Sequence, residues 1–351
     1  MIFEQTIFHF INMDIKYFLT LLFLNAINSL NIAVPSSNFT DLNFKTVIDT
    51  IDASLSSSLG LIPLYVRLAF HDCIAGCNGC INIANPSNAG LKGAVVNSVG
   101  LYSTLSISSK TFYGKSISRG DFWVLCAMRA IYISSSSVTQ PILNFFAGRQ
   151  DCASALNDQL ENLPSASKSY DQYQSMFMNP NGFNLTARET VALMGTHSIG
   201  SVVPDTSGYD GWWVVNNKIF SNSFFTQMND TTMNYTSVGI QVTGFNYSHQ
   251  WNASADLCVG KNCTPRPAAH QRIMLNSDMC LLKNFTVDST GTPSCTYASC
   301  GLNVYTASYV KEFALSEPVF KAAFGPSFTK MVNYVNQSTS LYDLVSSDSI
   351  E

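Results

Sequence analysis

Apolar residues recur at helical spacing in two stretches of the first seventy-odd residues. Between Asn43 and Leu55 they stand three or four positions apart, at Phe44, Val47, Ile48, Ile51 and Leu55. The second stretch, Leu61–Cys73, is mostly apolar and places Pro63 in its first turn, where a helix tolerates proline. Both stretches are therefore predicted to be helices with a buried face.

Two further helix starts are marked by capping sequences. Ser118-x-x-Asp121 and Thr186-x-x-Glu189 each precede an apolar run, and such paired side chains satisfy the free N–H groups of a first turn. Gly, Asn, Ser and Cys dominate residues 73–90, which predicts a loop, and residues 229–273 and 284–308 lack a regular period. The expected fold class is mainly α, with long irregular insertions in those two segments.

The composition indicates a globular protein without an anionic partner. Hydrophobic residues make up 46% of the 351 positions, enough to bury a sizeable core in one large domain or two moderate ones. Charged residues supply only 12%, and the net charge is −4. Because no run of basic residues occurs, binding to nucleic acid or to an anionic membrane is not expected.

The start of the chain has the pattern of a secretory signal. Lys16 precedes the apolar run 17–27, which is too short for a transmembrane helix of about 20 residues. We interpret residues 1–33 as a signal peptide region, with Met13 as an alternative start; the alternative is a buried N-terminal helix. No other long apolar run occurs, so a soluble protein is expected after cleavage.

Cysteines and glycosylation sequons also favour secretion. The ten cysteines suit an oxidising compartment, and spacing suggests a Cys258–Cys263 bridge, whereas the pairing of Cys73, Cys77 and Cys80 stays open. N-glycans are expected at some of the nine sequons. Their asparagines are Asn38, Asn184, Asn229, Asn234, Asn246, Asn252, Asn262, Asn284 and Asn336.

Arg67 and His71 are the first candidates for chemistry. They lie four positions apart in the second predicted helix, so their side chains share a face that is otherwise apolar. A fixed positive charge favours the neutral form of the imidazole, which can then take a proton from a substrate oxygen and return it. The guanidinium can stabilise negative charge on that substrate. The alternative is a structural Arg–carboxylate pair beside a packed His.

Two motifs resemble the plant-type haem peroxidase superfamily. The segment 67–73, RLAFHDC, resembles the distal motif of that family, and 190–200, TVALMGTHSIG, resembles its proximal motif. Other segments are similar to the family in the same order; they are 88–91 (NAGL), 118–122 (SRGDF), 147–149 (AGR), 207–213 (SGYDGWW), 275–278 (LNSD) and 316–320 (SEPVF). The resemblance implies a haem peroxidase fold over 40–345, in which two helical halves enclose the haem.

The resemblance also implies the roles of individual residues. His197 would ligate the iron of haem b, and Asp278 would accept the hydrogen bond of its other ring nitrogen. On the distal side, Asn88 would fix the tautomer of His71, and Phe70 would close the pocket above the haem.

The proximal half is similar to ascorbate and cytochrome c peroxidases, with departures. Ascorbate peroxidases carry an ascorbate-binding Arg where this chain has Thr206, so ascorbate is not the expected donor. Trp213 matches the radical-storing Trp of cytochrome c peroxidase, and two positions that hold a nearby cation in ascorbate peroxidases are Val214 and Ser221 here. We therefore hypothesise that Trp213 can be oxidised; the alternative is a packing role.

The distal half is more similar to the secretory classes of the family. In those classes the residue at Asp72 is a calcium ligand, so the resemblance implies calcium as a second cofactor there. Ser198 follows the proximal His, as an oxygen-bearing residue does in cation-binding members, and is a candidate cofactor-binding residue.

Together these features predict a secreted enzyme that reduces hydrogen peroxide and oxidises a small, phenolic or aromatic donor. Two alternatives stay open. One is a catalytically silent extracellular glycoprotein with the same fold. The other is a zinc-binding module built on the cysteines of 73–80.

Overall fold

The computed structural model describes residues 42–74, 76–112, 115–135, 139–153, 163–254, 271–334 and 342–343. Helices dominate these ranges, which confirms the mainly α fold class. They are α1 (Leu42–Ser57), α2 (Leu61–Ile74), α3 (Lys92–Thr104), α4 (Arg119–Ser134), α5 (Asp171–Met176), α6 (Ala187–Met194), α7 (Pro204–Ser207), α8 (Ser223–Asn229), α9 (Asn276–Met279), α10 (Ala307–Leu315) and α11 (Glu317–Val332). The predicted signal region and the Cys258–Cys263 bridge lie outside the described residues.

The N-terminal half is built around α4. Ser118 Oγ accepts a hydrogen bond from the Asp121 N–H, and the Ser118 N–H donates to the Asp121 carboxylate, so this predicted capping box is confirmed. Almost all side chains of α4 are buried, because α1, α2 and α3 each pack against it. The predicted first helix is likewise confirmed, and its periodic apolar residues are all buried.

The C-terminal half has an aromatic core. The capping box of Thr186 and Glu189 starts α6 as predicted, and α11 packs against that helix while α10 packs against α8. Between them the ring of Phe225 lies 5.1 Å from that of Phe320, and Phe220 lies 4.7 Å from Phe324. These separations are those of favourable aromatic pairs, so the rings fix the spacing of the helices.

Short strands between the helices pair into small antiparallel sheets. They are β1 (Thr111–Phe112), β2 (Lys115–Ser116), β3 (Phe146–Ala147), β4 (Ser201–Val202), β5 (Gly211–Trp212), β6 (Thr236–Ile240), β7 (Ser248–Asn252), β8 (Ile273–Leu275), β9 (Lys283–Asn284), β10 (Gly301–Leu302) and β11 (Tyr342–Asp343). Strands β6, β7 and β8 form one sheet with β7 in the middle, and Trp251 lies opposite Ser237 and Met274.

The segment predicted as irregular near 229–273 is thus partly a regular sheet. The apolar–polar alternation of β6 is weak because its side chains are exposed or half-buried, so the sequence gives no clear period there. No helix of the described ranges is long and apolar enough to cross a membrane.

Covalent and ionic links hold the loops around the helices. The disulfides of the described residues are Cys73–Cys77, Cys80–Cys152 and Cys295–Cys300. Arg149 forms a fully buried ion pair with Asp121 at 2.8 Å and also donates a hydrogen bond to the Val332 carbonyl at 2.6 Å. The end of α11 is therefore tied to the start of α4.

Candidate active site

Helix α2 presents Arg67 and His71 one turn apart, as predicted. The Arg67 guanidinium donates to the Ala89 carbonyl at 2.7 Å and to the Ser87 carbonyl at 3.0 Å. No carboxylate of the described ranges pairs with it, so the alternative of a structural Arg–carboxylate pair finds no partner there. His71 is only 6% exposed.

Asn88 sets the orientation of the His71 ring. It ends a 3₁₀ turn over Pro86–Asn88, where its Nδ2 donates to the Asn82 carbonyl at 3.0 Å. That bond points Oδ1 toward His71 Nδ1 at 2.8 Å. Because an amide oxygen only accepts, Nδ1 carries the proton and Nε2 keeps its lone pair. No described residue hydrogen-bonds Nε2.

The electrostatics of this wall keep the imidazole neutral. Burial lowers the pKa of His71 to about 3, the charge of Arg67 lowers it as well, and the Asn88 hydrogen bond opposes both. Burial also lowers the pKa of Arg67 to about 10, which leaves the guanidinium charged at neutral pH. A neutral base and a fixed cation therefore stand side by side.

The second group of candidate residues is centred on His197. This residue lies in a 3₁₀ turn, Gly195–Ser198, that continues α6, and its Nδ1 lies 2.8 Å from Asp278 Oδ1. Its ring stacks on that of Trp213, with centroids 4.1 Å apart and planes 14° apart. Within the described residues no group bonds Nε2, although the side chain is 25% exposed. That nitrogen is free to bind a ligand.

Asp278 joins the members of the proximal site. It lies in α9, directly after β8, and is fully buried. Besides His197, its carboxylate accepts hydrogen bonds from Trp213 Nε1 at 3.1 Å and from the Leu275 N–H at 2.9 Å. A carboxylate that accepts the Nδ1 hydrogen bond of a histidine fixes the orientation of its ring and makes the imidazole more electron-donating.

Close packing at two glycines fixes the position of the proximal turn, the 3₁₀ turn Gly195–Ser198 that carries His197. A Cβ atom at Gly195 would lie 2.4 Å from the Phe320 ring and 2.8 Å from that of Phe225, so only glycine fits there. At Gly200 a Cβ atom would lie 2.8 Å from the Cβ of Pro63 in α2. The segment after His197 therefore returns to the helix that carries Arg67 and His71.

Ser198 and Asp72, which the sequence predicts to bind a cofactor or calcium, form hydrogen bonds with protein groups. Ser198 is buried and accepts a hydrogen bond from the Ser221 N–H at 3.3 Å. Asp72 accepts from the N–H groups of Gly79 at 3.1 Å and Cys80 at 3.2 Å, and burial raises its pKa to about 7. Donors rather than oxygens thus surround Asp72, which is a poor environment for calcium.

The remaining predicted pocket residue, Phe70, is half-buried. Its ring meets that of His71 edge-on at 5.8 Å and is stacked on Phe177 at 6.2 Å. The zinc alternative is wrong for the described residues, because Cys73, Cys77 and Cys80 are all in disulfides. Within the part of the chain that the structure describes, no three or more His, Cys, Asp or Glu side chains lie close enough together to hold a metal ion.

The donor set fits haem rather than a metal held by protein alone. A single imidazole, His197, is backed by a carboxylate and has one open nitrogen, which is the axial ligand of many haem proteins. Neutral His71 and charged Arg67 lie on α2, and the packing of Gly200 on Pro63 places the segment after His197 against that helix. The residues present therefore fit a haem group between α2 and the proximal turn.

Comparison with known proteins agrees with this geometry. The family model described as Peroxidase matches residues 46–291. The chain belongs to the peroxidase family. Its mainly helical structure is consistent with the haem peroxidase fold.

Relatives within the family include the enzymes that the proximal half resembles. The chain is 29% identical over 187 residues to the probable L-ascorbate peroxidase 4, peroxisomal, of Oryza sativa, covering 50% of this chain and 58% of that one. It is 37% identical over 114 residues to the mitochondrial cytochrome c peroxidase of Aspergillus fumigatus, covering 32% and 29%. The matches thus span less than two thirds of these relatives.

Several contacts of the site had no signal in the sequence. Gln227 of α8 donates to the Trp213 carbonyl at 2.8 Å and accepts from Arg272, the residue before β8, at 3.2 Å, so two distant segments support the backbone of Trp213. The Cys80–Cys152 bridge joins residues 72 positions apart, and spacing carries no information on such a pair. Neither the Gln227 hydrogen bonds nor the Cys80–Cys152 disulfide is indicated by a local sequence pattern.

Proposed function

We propose that this chain is a haem-dependent peroxidase that reduces hydrogen peroxide to water while it oxidises an aromatic donor. The observation that carries the proposal is the pair of residue groups: neutral His71 beside charged Arg67 on α2, and His197 hydrogen-bonded to buried Asp278. Membership of the peroxidase family supports the same reaction.

The cofactor would be haem b, held through Nε2 of His197. When bound, it supplies the two electrons that split the peroxide and recovers them singly from the donor. Asp278 keeps the His197 ring in place and makes it a stronger electron donor. The stacked Trp213 prevents the ring from rotating.

The distal residues would move the proton. Nε2 of His71 takes a proton from one peroxide oxygen and delivers it to the departing oxygen, which leaves as water. Asn88 holds the tautomer that makes this nitrogen the base. The Arg67 guanidinium, fixed by the Ala89 and Ser87 carbonyls, stabilises the negative charge that develops as the O–O bond breaks.

The donor is a small phenol or related aromatic molecule rather than ascorbate. Thr206 replaces the cation that would bind the enolate of ascorbate, and a Cβ atom at Gly90 would lie 3.4 Å from the Thr206 side chain. The site therefore offers no positive charge at this position. A neutral aromatic donor needs none.

Secretion and glycosylation belong to the same proposal. Disulfides persist in oxidising compartments, and three occur in the described residues. The sequon asparagines Asn234, just before β6, and Asn246, between β6 and β7, are both exposed, as glycan acceptors must be. Calcium at Asp72 remains a prediction from resemblance, with little support from its N–H neighbours.

The decisive test is the absorption spectrum of the purified protein before and after one equivalent of hydrogen peroxide. We expect a Soret band that shifts within seconds, and a shift slowed at least about a hundredfold in Arg67→Leu and His71→Ala. His249→Gln, on the β7 strand, is the matched control and should react like the wild type. A Soret band with no shift would favour the silent glycoprotein instead.

A further inference from the structure

A column of tyrosines leads from the proximal carboxylate to the surface. Tyr173 is fully buried, and its hydroxyl donates to the carbonyl of Ser277, the residue before Asp278, at 2.5 Å. The ring of Tyr170 lies 6.2 Å from that of Tyr173, and that of Tyr305 lies 5.7 Å from Tyr170 with planes only 5° apart. Tyr305 is 62% exposed.

The outermost ring is exposed but held in place. The Tyr305 N–H donates to Asn303 Oδ1 at 2.9 Å, and the buried Asn303 amide donates to the Cys280 carbonyl at 2.7 Å. On the other side of Tyr305, the buried Thr306 hydroxyl donates to the Leu281 carbonyl at 2.7 Å. The loop that carries Tyr305 is thus anchored on both sides to the segment that follows Asp278.

The three tyrosines differ in what can accept a phenolic proton. Oxidation of a tyrosine to its neutral radical removes an electron and a proton together. The Tyr173 hydroxyl faces a backbone carbonyl, and that of Tyr170 faces the Met178 sulfur at 3.7 Å, neither of which is a base. Tyr305 alone of the three is open to water, so oxidation is most favourable at the outer end.

We propose that Tyr305 is a second oxidation site, at which phenolic groups of molecules too large for the haem cleft are oxidised at the surface. This inference rests on the proposed function, since the peroxide-oxidised haem is the oxidant. Tyr305 gives one electron inward through Tyr170 and Tyr173 and its proton to water. A donor phenol then gives an electron and a proton to the Tyr305 radical, so the donor O–H bond breaks and the tyrosine O–H bond re-forms.

The surroundings of Thr206 suggest why large donors would need a second site at the surface. A Cβ atom at Gly208 would lie 2.9 Å from the ring of Phe245, so the turn between β6 and β7 packs on the chain two residues after Thr206. This turn therefore packs on a residue close in the chain to the position at which the resemblance places ascorbate binding. The Phe245 ring would hinder large phenolic molecules beside Thr206, whereas Tyr305 is exposed in the loop between β10 and α10.

The test combines radical trapping with donors of two sizes. The haem-loaded full chain receives one equivalent of hydrogen peroxide with a nitroso spin trap, and adducts are located by peptide mass spectrometry. We expect an adduct at Tyr305 that is lost in both Tyr305→Phe and Tyr170→Phe. Tyr247→Phe, which removes another exposed hydroxyl outside the column, should keep the adduct.

The second readout is the rate with free phenol and with phenol attached to a soluble polymer. Tyr305→Phe should lose oxidation of the polymer and keep that of free phenol, with an unchanged Soret shift. A normal Soret shift without an adduct at Tyr305, or with unchanged polymer oxidation in Tyr305→Phe, overturns this inference alone. A protein that binds no haem overturns the proposed function and this inference with it.

Discussion

Replacing Asp278 by Asn removes one charge at the centre of the proximal site and changes little else in shape. The carboxylate accepts hydrogen bonds from His197 Nδ1, Trp213 Nε1 and the Leu275 N–H, and no part of it reaches solvent. An amide keeps one accepting oxygen but presents an N–H group in place of the other. At least one of the three donors then faces a donor.

The size of the effect follows from these contacts. A hydrogen bond to a charged group contributes about 1.5–3 kcal/mol and a neutral one about 0.5–1.5 kcal/mol, while a buried donor left without a partner costs about 1–3 kcal/mol. Two weakened bonds and one lost bond give about 3–5 kcal/mol, reduced somewhat because the variant no longer buries a charge. This is a large share of a total stability of about 5–15 kcal/mol.

The assay is urea denaturation of the haem-free protein, followed by the midpoint potential of the haem-loaded form. We expect Asp278→Asn to lower the free energy of unfolding by the amount given above. We also expect it to raise the potential, because His197 becomes a weaker electron donor. Asp49→Asn, at an exposed carboxylate that pairs with Lys45, should change stability by less than about 1 kcal/mol. Equal effects of the two substitutions would refute the role of Asp278.

Three further predictions concern the pH dependence, the indole and the long-range disulfide. Because the pKa of folded His71 lies near 3 and that of an unfolded histidine near 6.5, the base stays neutral and the rate of the peroxide reaction should be constant from pH 8 down to about pH 5, measured by stopped-flow absorption. The same shift means that the contribution of His71 to stability is complete above pH 6.5 and is lost as the pH falls from 6.5 toward 3. Peroxide treatment should give an indole radical in electron paramagnetic resonance that Trp213→Phe removes, since Asp278 accepts the Nε1 hydrogen bond and stabilises positive charge on the ring. Replacing Cys80 and Cys152 by Ala should lower the free energy of unfolding by about 4 kcal/mol, against about 2 kcal/mol for the four-residue Cys73–Cys77 loop, in chemical denaturation.

Each of these predictions has a result that would count against it. A rate that falls between pH 7 and 6 would mean that His71 is not held neutral. A porphyrin radical that is unaltered in Trp213→Phe would leave the indole a packing residue. Similar losses for the two disulfide variants would show that the length of the closed loop does not set the stabilisation.

The sequence predicts the site best where residues close in the chain act together. Arg67 and His71 share a face of one helix, and the capping boxes of Ser118 and Thr186 start their helices where the local pattern indicates. Such features depend on helical periodicity and on backbone groups within one turn, which are fully encoded in neighbouring residues.

Contacts between distant segments could be predicted only through resemblance or not at all. Asp278 meets His197 across 81 positions, and only the similarity of its segment to the family indicated that contact. The tyrosine column and the Gln227 link had no such guide, because side-chain contacts between loops leave no periodic trace. The β6–β7 sheet was missed for a related reason: its strands alternate weakly in polarity.

The absence of a side chain at Gly195 has a consequence for the order in which the protein loses its cofactor and its helical structure. With no side chain in between, the main chain two residues before His197 rests directly on the rings of Phe320 and Phe225. A displacement of α11, caused by heat, by proteolysis or by a smaller residue in place of Phe320, would directly displace the imidazole of His197. Loss of iron ligation should therefore precede loss of helical structure, so that cofactor release gives an early report of damage at the C-terminal end.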